Sequence, residues 1–135
     1  MSYLLDTSAL LAHFFDESGA AETQAIFDHG RDEVAVSAVS VAEFEGRLTQ
    51  EGIDEDERVF ACLNYFSLLA RVLPVIQQTG HLAAELRSRT PVRLPLVDAL
   101  IAAAAKEHQL TLVHRDPHMA AIPTGDVPQL VLPPK

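Results

Sequence analysis

The sequence is poor in cysteine, in basic side chains and in long apolar runs, and each shortage closes off a class of protein. Its one cysteine, Cys62, can form no internal disulfide and points to a reducing compartment. Beside Phe60, Ala61 and Leu63, that thiol reads as buried and inert. The longest apolar run, Ala99 to Ala105, is far short of the roughly 20 residues that cross a bilayer. Asp6 interrupts the apolar N-terminus almost at once, so no secretory signal is expected, and the protein reads as cytoplasmic with no membrane partner. Lys and Arg number 10 against 19 Asp and Glu, a formal net charge of −9. That balance argues against tight, unaided binding to phosphate backbones, which draws its affinity from basic groups. Part of the excess lies in the run Asp54-Glu55-Asp56-Glu57, which fits a solvated helix start.

What is present describes a globular chain. Its 135 residues, 48% apolar, fit one domain spanning 1–135 with a real core. Short apolar strands are expected at Tyr3–Leu5, Val34–Val36, Arg71–Ile76, Thr111–Val113 and Gln129–Leu132. Pro74 confines the third of these to a sheet edge or shortens it. Helical spacing covers Ser8–Asp16, Ala20–His29, Ala38–Gln50, Asp54–Ala70, Gln78–Arg89 and Val97–Gln109. Gly19 and Gly52 stop two of these helices. The helix over 54–70 places Val59, Phe60, Leu63, Phe66 and Leu69 on one side, more apolar surface than one sheet face needs. Part of it is therefore expected to contact a second copy or a partner helix, although an ordinary core stripe explains it equally well. The alanine-rich helix from Val97 is apolar nearly all round and should be central. Strands alternating with helices mean an α/β fold with a short parallel sheet flanked by helices, three layers in all.

Four acids fall where strands hand over to helices or just inside the helices: Asp6, Glu43, Asp98 and Asp116. In a parallel sheet the carboxyl ends of the strands share one edge, which holds the ligand crevice. Four acids meeting there would repel one another unless cations lay between them. Oxygen donors without a cysteine or histidine cluster suit Mg²⁺ or Mn²⁺. Each acid also has a purely structural explanation. Asp6, with Thr7 and Ser8, fits a helix cap, and Asp116 before Pro117 fits a cap followed by proline at the first helical position. Asp98 complements a helix dipole, and Glu43 suits an exposed helix face. Together these explanations weaken, because Asp98 stands among Val97, Leu100, Ile101 and alanines, where a charge without a partner is costly. Ser37 fits either a hydroxyl in the crevice or the cap of the next helix.

The segments Leu5-Asp6-Thr7-Ser8-Ala9-Leu10-Leu11, Val36-Ser37-Ala38-Val39-Ser40-Val41-Ala42-Glu43-Phe44, Leu94-Pro95-Leu96-Val97-Asp98-Ala99-Leu100-Ile101 and Leu112-Val113-His114-Arg115-Asp116-Pro117-His118 resemble the PIN-domain ribonucleases. They are most similar to the VapC toxins of toxin–antitoxin pairs, over essentially the whole chain and in the same order. The resemblance implies a PIN-like fold and a Mg²⁺- or Mn²⁺-dependent endoribonuclease that hydrolyses RNA with metal-activated water, leaving a 5′-phosphate. It implies RNA as substrate, a cognate antitoxin as partner and a homodimer. It places the catalytic and metal-binding acids on Asp6, Glu43, Asp98 and Asp116, with supporting hydroxyls on Thr7, Ser8 and Ser37. Many members carry a further acid two or three residues beyond the last aspartate; His118 and Met119 stand there instead. A lone loop histidine is more often neither a ligand nor a phosphate contact.

Arg47, Arg87, Arg89, Arg93 and Arg115 are candidate RNA contacts, with Arg47, Arg93 and Arg115 foremost, since guanidinium forks match phosphate. Ordinary solvated surface is an equal reading for each. Two other enzyme classes fit the fold pattern but not the residues. A phospho-accepting receiver domain would want paired acids at the first strand and a lysine after the last, where Arg115 stands. A haloacid-dehalogenase-type phosphatase would want an aspartate where Ser8 is. A non-catalytic metal-, RNA- or protein-binding module is the alternative that metal-dependent RNA cleavage would separate.

Overall fold

The computed structural model describes residues 1–135. Five strands, β1 (Tyr3–Leu5), β2 (Val34–Ser37), β3 (Arg71–Leu73), β4 (Thr111–His114) and β5 (Gln129–Val131), form one sheet. Its order is β3-β2-β1-β4-β5, and every neighbouring pair is parallel. Seven helices accompany it: α1 (Thr7–Phe14), α2 (Ala20–Phe27), α3 (Ala38–Gln50), α4 (Glu55–Leu63), α5 (Gln77–Arg89), α6 (Leu96–Glu107) and α7 (Pro117–Ala120). A 3₁₀ turn at Arg31–Glu33 precedes β2, and a π turn at Asn64–Leu69 follows α4.

The pleat sorts strand residues between two cores. Leu4, Ala35 and Leu112 join Ala83 and Leu86 of α5 and the buried alanines of α6 on one side. Tyr3, Leu5, Val34, Val36 and Val113 join Leu10, Phe27, Phe44 and Tyr65 on the other. The register pairs Leu5 with both Val36 and Val113, so β1 is buried on both faces. This is the three-layer arrangement that strand–helix alternation predicts. β1, central in the sheet, ends at Asp6, whereas β3 is an edge strand that stops at Pro74's doorstep. No helix is long and apolar enough to cross a membrane.

One expectation needs correction. The stretch 54–70 is not a single helix with one apolar face, because α4 gives way to the π turn after Leu63. The wider winding of an i→i+5 turn rotates everything that follows. Val59, Phe60 and Leu63 therefore stay exposed on α4, while Phe66 and Leu69 turn inward. Phe66 packs edge-on against Phe44 with ring centroids 5.6 Å apart. Cys62 is half-buried, and burial, reinforced by Glu45, pushes its thiol up to about 12, as suits an inert group.

Candidate active site

The four acids reach the carboxyl edge of the sheet by four local routes. Asp6 follows β1 and caps α1: its Oδ1 accepts from the Ala9 backbone N–H at 3.0 Å and from the Ser8 hydroxyl at 2.6 Å. Its other oxygen makes no hydrogen bond within the chain, yet the residue is only 3% exposed. Asp98 lies in the first turn of α6, which starts after Pro95. Asp116 caps α7, accepting from the His118 backbone N–H at 2.8 Å, with Pro117 at the first helical position. Glu43 projects from α3, and its Oε1 accepts from the Thr7 hydroxyl at 2.5 Å. The structural explanations for Asp6 and Asp116 thus hold, and they position the carboxylates instead of competing with a site.

Electrostatics ties the acids together. Burial raises Asp6 from the usual carboxylate range to about 7; the bonds from Ser8 and Ala9 oppose this, and Asp116 and Asp98 add to it. Asp98 is raised to about 6, first by burial and then by the charges of Asp116 and Glu43. Asp6 and Asp98, each raised by burial and by acidic neighbours, lie where positive charge is short. The donor set fits a divalent cation: carboxylate oxygens in a half-buried cleft, one of them on Asp6 without a partner. Asp98, Asp116 and His118 each offer a ligand atom within 4.8 Å of the others.

The hydroxyls divide by task. Ser8 donates to Asp6 and accepts from the Arg115 backbone N–H at 3.1 Å, tying the end of β1 to the end of β4. Thr7 fixes Glu43 and also contacts the Ser40 hydroxyl at 3.1 Å. Ser37 is buried and caps α3, its Oγ accepting from the Val39 N–H at 3.1 Å. Sequence pattern gave no sign of Ser40, nor of the support beneath Asp116. There, fully buried His114 accepts from the Asp116 backbone N–H on Nδ1 at 3.0 Å and meets Gln129 Oε1 through Nε2 at 2.8 Å. Gln129 in turn donates to the Ile122 carbonyl. Burial holds the His114 imidazole below its usual pKa, so it stays neutral with the proton on Nε2. A histidine followed two residues later by a strand-end acid was the available signal; its partner on β5 lies 15 residues away.

The arginines part company. Arg115 is not a free cation: its guanidinium is bound to Glu17 and to the Ser18 carbonyl, with only 8% of the side chain exposed. It closes the loop after β4 onto the loop after α1, and little of its side chain meets solvent. Arg87 donates to the Leu94 carbonyl, and Arg89 is paired with Glu85 and Asp126. Arg93 is exposed in the loop before α6. Arg47 pairs with Glu51 at 2.9 Å and lines a groove of about 340 Å³ with Thr7, Glu43, Gly46 and Gln50. A larger concavity between α3 and α4 contains none of the four acids. Of the four acids, Glu43 lines the groove on α3.

A family model described as "PIN domain" matches residues 3–124. No curated protein sequence matches the chain. Among solved structures, a chain of the VapBC2 complex of Rickettsia felis, bound to a fragment of its promoter DNA, has TM-score 0.77 at 17% identity, covering 98% of this chain and 100% of that one. FitAcB of Neisseria gonorrhoeae has TM-score 0.72 at 25% identity, covering 95% and 96%. Mycobacterium tuberculosis VapC20, described as a sarcin–ricin loop cleaving toxin, has TM-score 0.65 at 18% identity, covering 82% and 87%.

Proposed function

The chain belongs to the PIN-domain family, and from that premise we propose that it is a Mg²⁺- or Mn²⁺-dependent endoribonuclease, the VapC-type toxin of a toxin–antitoxin pair. In this reading residues 1–135 form one PIN-like domain acting in the cytoplasm, as the lone cysteine suits. The observation that carries it is the buried Asp6, raised to about 7 within reach of Asp98 and Asp116 at the end of the central strand. A charge so poorly solvated is retained where a cation completes it. The sarcin–ricin loop cleaving relative and the VapBC and FitAcB neighbours support the nuclease and antitoxin parts of the reading.

Asp6, Glu43, Asp98 and Asp116 would hold the metal. A bound divalent ion supplies Lewis-acid polarisation of the phosphodiester and an activated water. The chain's own contribution is placement. Ser8 and the Ala9 N–H hold one Asp6 oxygen and leave the other facing the cleft. Thr7 fixes the Glu43 carboxylate, so that the wall from α3 keeps a set distance from β1. His114 and Gln129 hold the loop carrying Asp116. Arg47 and Arg93 are the basic groups best placed to meet RNA phosphates, one in the groove beside Glu43 and one in the loop preceding Asp98. The exposed apolar face of α4 suits an antitoxin helix or a second copy of the chain.

The test incubates the purified chain with end-labelled RNA in Mg²⁺, in Mn²⁺ and in chelator. Internal cuts leaving 5′-phosphates should appear only with metal. RNA that stays intact in both metals, with the chain freed of any co-purified antitoxin, would return the protein to the class of non-catalytic binding modules.

A further inference from the structure

We infer that Gln129, on the edge strand β5, is a positioning residue of the acid cluster, acting on Asp116 through the tautomer of His114. The inference rests on the metal-dependent reading above and deepens it. It adds a residue beyond the stretch 3–124 that the family model matches.

Three hydrogen bonds carry it, and their directions are set from both ends. The Asp116 backbone N–H can only donate, and it meets His114 Nδ1 at 3.0 Å. Nδ1 is then the accepting nitrogen, which puts the imidazole proton on Nε2. Nε2–H in turn donates to Gln129 Oε1 at 2.8 Å. At the far end the Ile122 carbonyl can only accept, and it takes the Gln129 side-chain N–H at 2.8 Å. A reversed amide would face donor to donor at His114 and acceptor to acceptor at Ile122. Gln129 therefore selects the tautomer that leaves Nδ1 free for Asp116.

The chain of bonds brackets one short segment. Asp116 caps α7 at its start and Ile122 lies just past its end, so β4 and β5 hold the helix from both sides. β5 is itself tied down: the Leu112 N–H donates to the Pro128 carbonyl at 2.9 Å, and the Leu132 N–H to the His114 carbonyl at 2.7 Å. Asp126, three residues before Gln129, pairs with Arg89 at 3.1 Å and Lys106 at 3.4 Å, with only 6% of its side chain exposed. The acid at the end of this support is the one whose charge bears on both Asp6 and Asp98. A small, hard cation is sensitive to the spacing of its carboxylates, and groups that orient ligands share in its affinity.

Gln129→Met removes both side-chain bonds from a half-buried position at similar volume. In the metal-free variant the Asp116 amide should exchange with deuterium severalfold faster than in the wild type, read by nuclear magnetic resonance. Calorimetry should show Mn²⁺ bound roughly tenfold more weakly. Leu130→Ala, which trims packing at the next residue of the same strand, should leave both readouts near wild type. His114→Asn keeps an oxygen where Nδ1 stood and should retain most of the affinity. His114→Gln reaches toward Gln129 but offers Asp116 no acceptor, and should lose it. Unchanged Asp116 exchange in Gln129→Met, or equal losses in Gln129→Met and Leu130→Ala, overturns this inference alone. Equal Mn²⁺ affinity in the two His114 variants does the same, and should neither fold, Gln129→Met still decides. A wild-type chain that binds neither Mn²⁺ nor Mg²⁺ overturns the metal-dependent reading, while faster Asp116 exchange in Gln129→Met still upholds the hold on Asp116.

Discussion

Asp6 is 3% exposed and Phe60 is 71% exposed, the reverse of what their chemistry favours. Around Asp6, charge is crowded into the edge of the sheet among Asp98 and Asp116. On α4, Val59, Phe60 and Leu63 face water instead of the core. Both regions sacrifice stability of the isolated chain, by different means. The acids lose solvation, a cost that depends on pH and is relieved by cations. The apolar face leaves uncollected the burial free energy that a covering surface would supply, a loss indifferent to pH and metal. The difference teaches that this fold carries two separable costs, one set by the solvation of charge and sensitive to pH, the other set by exposed apolar area and indifferent to it.

The largest effect should come from the acids. Asp98→Asn and Asp6→Asn should each lower RNA cleavage in Mg²⁺ by more than about a hundredfold with unchanged circular dichroism, because an amide is a poor ligand for a hard cation. Asp116→Asn should be milder. Phe60→Ala, on the other side of the comparison, should cut RNA at the wild-type rate. A nuclease assay in which Asp98→Asn keeps normal turnover would place the chemistry elsewhere.

Next comes stability. Asp6 is raised from 3.8 to about 7, so the folded chain holds a proton that the unfolded chain has released between those values. Metal-free stability should therefore fall as pH rises from about 4 to about 7, by at most ~4 kcal/mol from this residue. Asp6→Asn keeps the helix cap and removes the titration. Urea denaturation at pH 5 and pH 8 should show a smaller loss in the variant, and divalent metal should restore the wild type. Equal pH slopes for the two proteins would mean that Asp6 is not the strained group.

A third comparison divides the apolar residues flanking the π turn. Phe66→Ala removes a ring packed on Phe44 and should cost about 2–3 kcal/mol, whereas Phe60→Ala should change monomer stability by less than about 0.5 kcal/mol. If α4 is a docking face, Phe60→Ala should instead weaken self-association or antitoxin binding roughly tenfold or more, read by light scattering or calorimetry. Self-association and antitoxin affinity that Phe60→Ala leaves at the wild-type level would leave that face without a partner.

The smallest expected effect concerns binding of substrate. With a net charge of −9, the chain should hold labelled RNA severalfold more tightly in Ca²⁺ than in chelator. Asp98→Asn should narrow that gap. Affinity indifferent to divalent ions would detach RNA binding from the acid cluster.

Strand ends, caps and breakers were local matters, so the sequence alone determined them: Asp6 at the end of β1, Asp116 before Pro117, and Pro74 shortening β3 to Arg71–Leu73 all follow from neighbours in the chain. The parallel sheet followed too, because strand–helix alternation leaves few other ways to bury two faces. Three features belonged to tertiary structure. The π turn rotated Phe66 away from Phe60, and helical periodicity cannot foresee a change in its own period. Arg115 was claimed by Glu17, 98 positions earlier, which made a structural tie of a residue that looked free to bind RNA. His114 found Gln129 across β4 and β5, and the supports of Asp116 became visible only once the strands were paired. Local hydrogen bonds and hydrophobic periods are written within a few residues of one another, whereas the partner of a side chain is chosen by the whole fold.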